Sequence, residues 1–162
     1  MPRLDFPRVR WLVFFLTAFV LVAADQITKN WIRGYDLGEV IFRRGFFRIQ
    51  HIENAGAGFG LFQGYSSALL VVDFVALGLI LLYLIFLFGR FGFPATRTSW
   101  VALGLIFSGT TGNLIDRLNP AVGGITDFIY IGPWPAFNVA DSSITIGVVL
   151  LAYSLLFTKQ KT

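Results

Sequence analysis

Five of the nine acidic residues, Asp25, Asp73, Asp116, Asp127 and Asp141, stand in or beside apolar stretches, where an ionised group is costly and calls for an explanation. Asp127 lies in Gly123-Gly124-Ile125-Thr126-Asp127-Phe128-Ile129-Tyr130-Ile131, an apolar segment that reads as extended after a glycine pair able to turn tightly. Asp141 heads the next apolar run and, taken alone, reads equally well as a helix N-cap. Two carboxylates held close in a partly dry site cannot both ionise cheaply, so one titrates low and the other high. The ionised partner can take a proton from water as it attacks a peptide carbonyl, while the protonated partner bonds the carbonyl oxygen and helps supply the leaving amine's proton. This aspartic-peptidase chemistry requires no metal, cofactor or covalent intermediate. Composition closes other routes: there is no cysteine, His51 is the only histidine, and no metal-ligand spacing occurs.

The remaining polar residues fall into smaller groups. Asp25 and Lys29, four apart, suit a structural ion pair near a helix C-terminus. Asn113, Asp116 and Arg117 fall at i, i+3 and i+4, so one helix face presents an amide, a carboxylate and a guanidinium. That cluster reads either as a network that orients loops or as a place where Arg117 holds a carboxylate or a substrate carbonyl. Asp73 lies about one turn inside an apolar run, has no evident sequence partner and reads as structural.

These residues need elements to hold them, and the composition says in which solvent. A chain of 162 residues that is 56% hydrophobic and 14% charged, with mean hydropathy +0.71, carries too much apolar surface for one small soluble core. Runs long enough to cross a bilayer are expected at about 11–31, 68–88, 100–118 and 142–157. The third carries Gly104, Ser108 and Gly112 at four-residue spacing, which predicts the buried helix of the bundle. The net charge of +4 sits beside the runs and forms no dense stripe, which argues against nucleic acid. Arg3, Arg8 and Arg10 before the first run, Arg90 and Arg97 between the second and third, and Lys159 and Lys161 after the fourth predict cytoplasmic termini. Arg33, Arg43, Arg44 and Arg48 on the opposing side weaken that rule without reversing it. A rival reading takes the basic start and Val22-Ala23-Ala24 as a cleavable signal peptide; the Asp25 and Lys29 spacing favours a helix that continues.

Between the first two runs, Glu39 to Asn54 is rich in β-branched and aromatic residues around Arg44-Gly45, which predicts a hairpin, and 58–65 suits a short interfacial helix. The phenylalanines and arginines of this cap suit the lipid headgroup zone. The expected fold is an all-α polytopic membrane protein. Four transmembrane helices carry a small extracytoplasmic β-hairpin and an interfacial helix in a single membrane domain spanning 1–162.

Five segments resemble, in order, the motifs of the lipoprotein signal peptidases: Asp25-Gln26-Ile27-Thr28-Lys29, Asn54 to Gly60, Gly112 to Arg117, Gly124 to Phe128, and Phe137 to Ser142. The resemblance implies a signal peptidase II that cleaves diacylglyceryl-modified prolipoproteins before the lipidated cysteine, at the outer face of the bacterial cytoplasmic membrane. It assigns catalysis to Asp127 and Asp141. It makes Asn54, Gly56, Asn113, Arg117, Asn138 and Ala140 line or support the substrate and inhibitor site, with Asp25 and Lys29 bracing it; Asp116 is counted beside them as a structural polar group. It also implies contact with membrane lipid and inhibition by globomycin-like cyclic peptides, with no metal or cofactor; a monomer is expected. Gly58 stands where the family often has alanine, and the family pattern offers no counterpart to Asp73.

Other classes remain to be weighed. A proton-coupled transporter would use Asp73, Asp116, Asp127 and Asp141 as a relay, but these acids cluster toward one side with no polar path onward. A membrane scaffold would tolerate asparagine at both Asp127 and Asp141. A serine-lysine peptidase would need a serine near Lys29, for which Ser66, Ser108 and Ser142 are only nominal choices.

Overall fold

The structure is a computed structural model that describes residues 6–54, 66–87 and 96–157. Gly56, the expected interfacial helix over 58–65, Arg3, Arg90, Lys159 and Lys161 lie outside the described residues.

Helix α1 spans Phe6–Ile32 and runs unbroken through Val22-Ala23-Ala24, as a continuing helix requires and a cleavage segment does not. Its only proline, Pro7, sits in the first turn, where no intrahelical N–H bond is lost. A hairpin follows, with β1 (Val40–Arg44) and β2 (Phe47–Asn54) antiparallel and Arg44 paired to Phe47. Gly45 opens the two-residue loop at φ +59, a conformation glycine adopts without a Cβ penalty. Helix α2 covers Ser66–Leu82 and ends in a π-helical turn, Tyr83–Leu87.

Helix α3 covers Arg97–Leu118. It starts three residues before the expected Trp100 because Thr96 caps it, accepting the Ser99 N–H at 3.1 Å. The same capping residues reach Ser154 near the end of α4, with Ser99 Oγ 2.7 Å from Ser154 Oγ. Strand β3 (Ile125–Ile131) follows, then α4 (Val139–Phe157), which likewise starts three residues earlier than expected.

The extended segment bearing Asp127 does more than the sequence suggested. It pairs antiparallel with β2, so the hairpin is part of a three-stranded sheet in the order β1-β2-β3. Ile52 lies opposite Asp127 and Asn54 opposite Ile125, with a bulge between Ile49 and Ile52.

α3 packs against α1 and α4 and is the buried helix, as its small residues predict. A Cβ added at Gly104 would press on Thr17 and Phe14 of α1, and one at Gly109 would strike the Ala140 carbonyl of α4. Gly147 on α4 returns the favour against Ala102 and Ile106. At the end remote from β3, Phe14, Leu84, Trp100 and Leu103 form an apolar core, with Trp11 and Trp100 edge to face at 5.3 Å. Among the described residues, three helical stretches are long and apolar enough to cross a bilayer: Val9–Ile32, Ala68–Ile85 and Val139–Phe157. Their outward residues are large and apolar, Phe19, Leu79 and Leu156 among them.

Candidate active site

The polar network grows outward from Lys29. Its ammonium is fully buried, 2.8 Å from Asp25 Oδ2 and 3.2 Å from Asp116 Oδ2, and it donates to Asn113 Oδ1 at 2.9 Å. The Asp25 and Lys29 pair is therefore not an isolated helix-face contact but part of a bolt between α1 and α3. Asp25 Oδ1 also accepts the Ala140 N–H at 2.9 Å, which places a carboxylate on the positive end of α4. Close passage of α1 and α4 at Gly112 permits this, since a Cβ there would meet the Asp25 carboxylate and Ala140.

Asp116 collects a second cation. Arg33 Nη2 lies 2.6 Å from its Oδ1, and the Thr126 N–H donates to its Oδ2 at 3.0 Å. Arg33 Nε also donates to Thr126 Oγ1 at 2.8 Å. Two carboxylates and two cations thus balance in a buried, bonded set that anchors β3 to the helices, the condition under which buried charge is tolerated. Arg33 and Thr126 were not singled out from the sequence. Arg33 continues the four-residue spacing of Asp25 and Lys29, which was a readable sign; Thr126 had none beyond its place beside Asp127.

Beyond this layer lie the two candidate catalytic carboxylates. Asp127 Oδ1 accepts Asn138 Nδ2 at 2.8 Å and its Oδ2 accepts Asn54 Nδ2 at 3.0 Å. Asp141 Oδ1 accepts Asn113 Nδ2 at 2.8 Å. Asp141 is not the N-cap of α4 as its sequence position suggested. Asn138 is the cap: its Oδ1 accepts the Asp141 N–H at 2.8 Å, and Asp141 Oδ2 accepts the Asn138 N–H at 3.2 Å, a reciprocal capping box. The same fully buried Asn138 side chain reaches Asn113 Oδ1 at 3.2 Å, so the Asn138 amide joins Asp127, and the Asn113 amide joins Asp141, to the Lys29 network.

Asp127 and Asp141 line one cavity of about 330 Å³ with Asn54, Asn113, Arg117 and Asp73, closed on the apolar side by Ile125, Trp134, Phe137 and Ile144. Burial pushes the Asp127 carboxyl up to about 7; the charge of Asp141 adds to the rise, and bonds from Asn54 and Asn138 and the Lys29 charge hold it back.

The Asn113, Asp116 and Arg117 cluster divides its contacts: Asn113 and Asp116 both meet the Lys29 ammonium, Asp116 also binds Arg33, and Asn113 and Arg117 border the cavity. Asp73 has a partner after all, because α2 places its carboxylate against Arg117 Nη1. His51 is buried and its Nδ1 lies 2.9 Å from the Tyr35 carbonyl, a structural role in the cap. Gly56 lies outside the described residues.

The model of the family described as signal peptidase (SPase) II matches residues 17–157, the stretch that contains every carboxylate of the cavity and its network. The chain belongs to the signal peptidase II family. Membership makes it a peptidase, and with three helical stretches fit to cross a bilayer it is a membrane enzyme. Among its relatives, the lipoprotein signal peptidase of Dehalococcoides mccartyi (strain ATCC BAA-2266 / KCTC 15142 / 195) is 44% identical over 144 residues, covering 88% of each chain. That of Desulforapulum autotrophicum is 39% identical over 153 residues, covering 89% of this chain and 91% of the relative. A solved bacterial membrane enzyme, determined by the in meso method at 2.3 Å resolution, shares the fold of this chain at TM-score 0.79 and 30% identity, over 92% of this chain and 93% of the other.

Proposed function

We propose that this chain removes the signal peptide from diacylglyceryl-modified prolipoproteins by cutting immediately before the lipidated cysteine, with Asp127 and Asp141 as an aspartic pair. The observation that carries this reading is the meeting, at one cavity, of two carboxylates from separate elements, joined through Asn138. With Asp127 raised to about 7, the pair holds one proton near neutrality, and Asp127 carries it. Asp141 takes a proton from water as the water oxygen bonds to the scissile carbonyl carbon, and Asp127 hydrogen-bonds the developing oxyanion. When the C–N bond breaks, the amine leaves with a proton from the pair, whose single shared proton is then restored. Asn54 and Asn138 orient Asp127, and Asn113 orients Asp141. Arg117 offers N–H donors at the cavity wall for a substrate carbonyl, with Gly56 and Ala140 as supporting positions.

The lipoprotein signal peptidases among the relatives support the substrate class. The apolar wall of the cavity suits a substrate that arrives with hydrocarbon chains, in contact with membrane lipid. In this reading all four helices cross the bilayer in a single membrane domain. α3, at 22 residues, is about 33 Å long at 1.5 Å per residue, enough for a hydrocarbon core of about 30 Å. Its Ser99, Gly104, Ser108, Gly109, Thr110 and Gly112 are buried rather than lipid-facing, which is why it is the least apolar of the four. Arg10 and Arg97 lie at the helix ends remote from the cavity, which supports cytoplasmic termini and a site at the outer face of the inner membrane. A monomer suffices, needs neither metal nor cofactor, and is blocked by globomycin-like peptides.

The test is processing of a diacylglyceryl-modified prolipoprotein by purified protein, with wild type, Asp127→Asn and Asp141→Asn compared with and without globomycin. Globomycin-sensitive cleavage that both substitutions remove is expected; turnover by both variants at the wild-type rate would sink the dyad.

A further inference from the structure

Asp73 is the one carboxylate at the cavity that this hydrolytic scheme leaves unused. It projects from α2 about two turns in from Ser66 and pairs with Arg117 Nη1, both side chains largely enclosed at 13% and 11% exposure. Among the described residues this is the one ion pair that α2 makes. The pair borders the same cavity as Asp127 and Asp141.

A guanidinium beside three carboxylates has a choice of partners. The charged groups around Asp127 are Lys29 and Arg33 from α1 and the turn after it, Glu53 from β2, Asp73 from α2, Asp116 and Arg117 from α3, and Asp141 from α4. Lys29 and Arg33 are both committed to Asp116, and Lys29 also to Asp25. Among the described residues Arg117 is tied to Asp73 alone. Released from it, Arg117 would find its strongest available bond at Asp127 or Asp141, where a bidentate arginine-carboxylate contact favours the ionised acid.

We propose that Asp73 is a positioning residue that anchors Arg117 to the α2 wall, keeping its guanidinium out of the Asp127 and Asp141 pair and leaving its remaining N–H donors to a substrate carbonyl. The inference rests on the assignment of those two aspartates as the reacting pair. It also explains why an acid stands in the apolar α2 helix: the carboxylate matches a cation that the site needs but must keep at one wall.

The experiment is the pH dependence of kcat and KM for prolipoprotein cleavage by the full chain in bilayers, for wild type, Asp73→Ala, Asp73→Asn, Asp73→Glu and Asp127→Asn. Asp73→Ala is expected to move the alkaline limb of the kcat profile acidward by about one unit, the effect of an arginine reaching a carboxylate, and to raise KM several-fold. Asp73→Asn keeps the size and an acceptor oxygen, so it folds if alanine does not, and should shift the limb in the same direction by less. Asp73→Glu should restore the wild-type limb. An unmoved limb in the alanine and asparagine variants, with Asp127→Asn inactive, overturns the anchor and leaves the dyad standing. An active Asp127→Asn overturns both.

Discussion

Lys29 and Asp127 sit on opposite sides of the Asn113 and Asn138 amides and show how differently buried charge is used within a few bonds. Lys29 is satisfied three times over, by Asp25, Asp116 and Asn113. Lys29→Ala would leave two buried carboxylates with one cation fewer, a loss expected at about 3–5 kcal/mol and measurable as a lower unfolding temperature in detergent. Asp127 is instead held where ionisation is disfavoured. Activity should therefore fall as pH rises through about 7, since the proton that Asp127 supplies is lost there. The same shift bears on stability. A carboxyl raised by burial contributes its full stability below its ordinary value of 3.8 and loses it as pH rises through about 7. Asp127→Asn removes that dependence, so it should unfold at a higher temperature than wild type above pH 7 while turnover drops by at least about a hundredfold, the scale of a lost general acid. A variant that melts lower than wild type in alkaline buffer would contradict the burial argument.

At the scale of elements, the start of α4 is the critical joint. Asn138 caps the helix, orients Asp127 and is braced by Asn113, while Asp141 completes the capping box and borders the cavity. Asn138→Ala should cost about 1 kcal/mol as a lost cap, but reduce kcat far more, because Asp127 loses its Asn138 bond while the first turn that carries Asp141 loses its cap. Equal small losses in stability and kcat would show that the amide is only a cap. The seam between α3 and α4 depends on Gly109, where an added Cβ would meet the Ala140 backbone carbonyl. Gly109→Ala should destabilise by about 1–3 kcal/mol, the range for overpacking, and displace the first turn of α4 with Asp141 on it. A thermal shift and a cleavage assay on one preparation would read both effects.

For the molecule as a whole, the proposed topology is testable because the chain has no cysteine of its own. Phe46→Cys, at the exposed hairpin loop, should label with an impermeant thiol reagent from outside the cell, and Thr98→Cys, exposed at the start of α3, only after the membrane is opened. The reverse pattern would invert the orientation. Much of this architecture was legible in the residues. Long apolar runs located the helices, small residues at fourfold spacing marked α3 as central, and β-branched residues around Gly45 marked the hairpin, because such signals are local. The aspartates were legible because a carboxylate in an apolar setting is costly and so stands out. What local pattern does not contain is partnership across distance. That β3 joins β2 and sets Asn54 beside Asp127, that Asn138 rather than Asp141 caps α4, that Arg33 secures Asp116, and that Asp73 holds Arg117 are matters of which surfaces face each other once the helices pack. Sequence alone determined the solvent, the helices and the residues able to do chemistry. Tertiary packing decided which carboxylate meets which cation, because an ion pair is chosen by position in space and many spacings along the chain are compatible with the same residues.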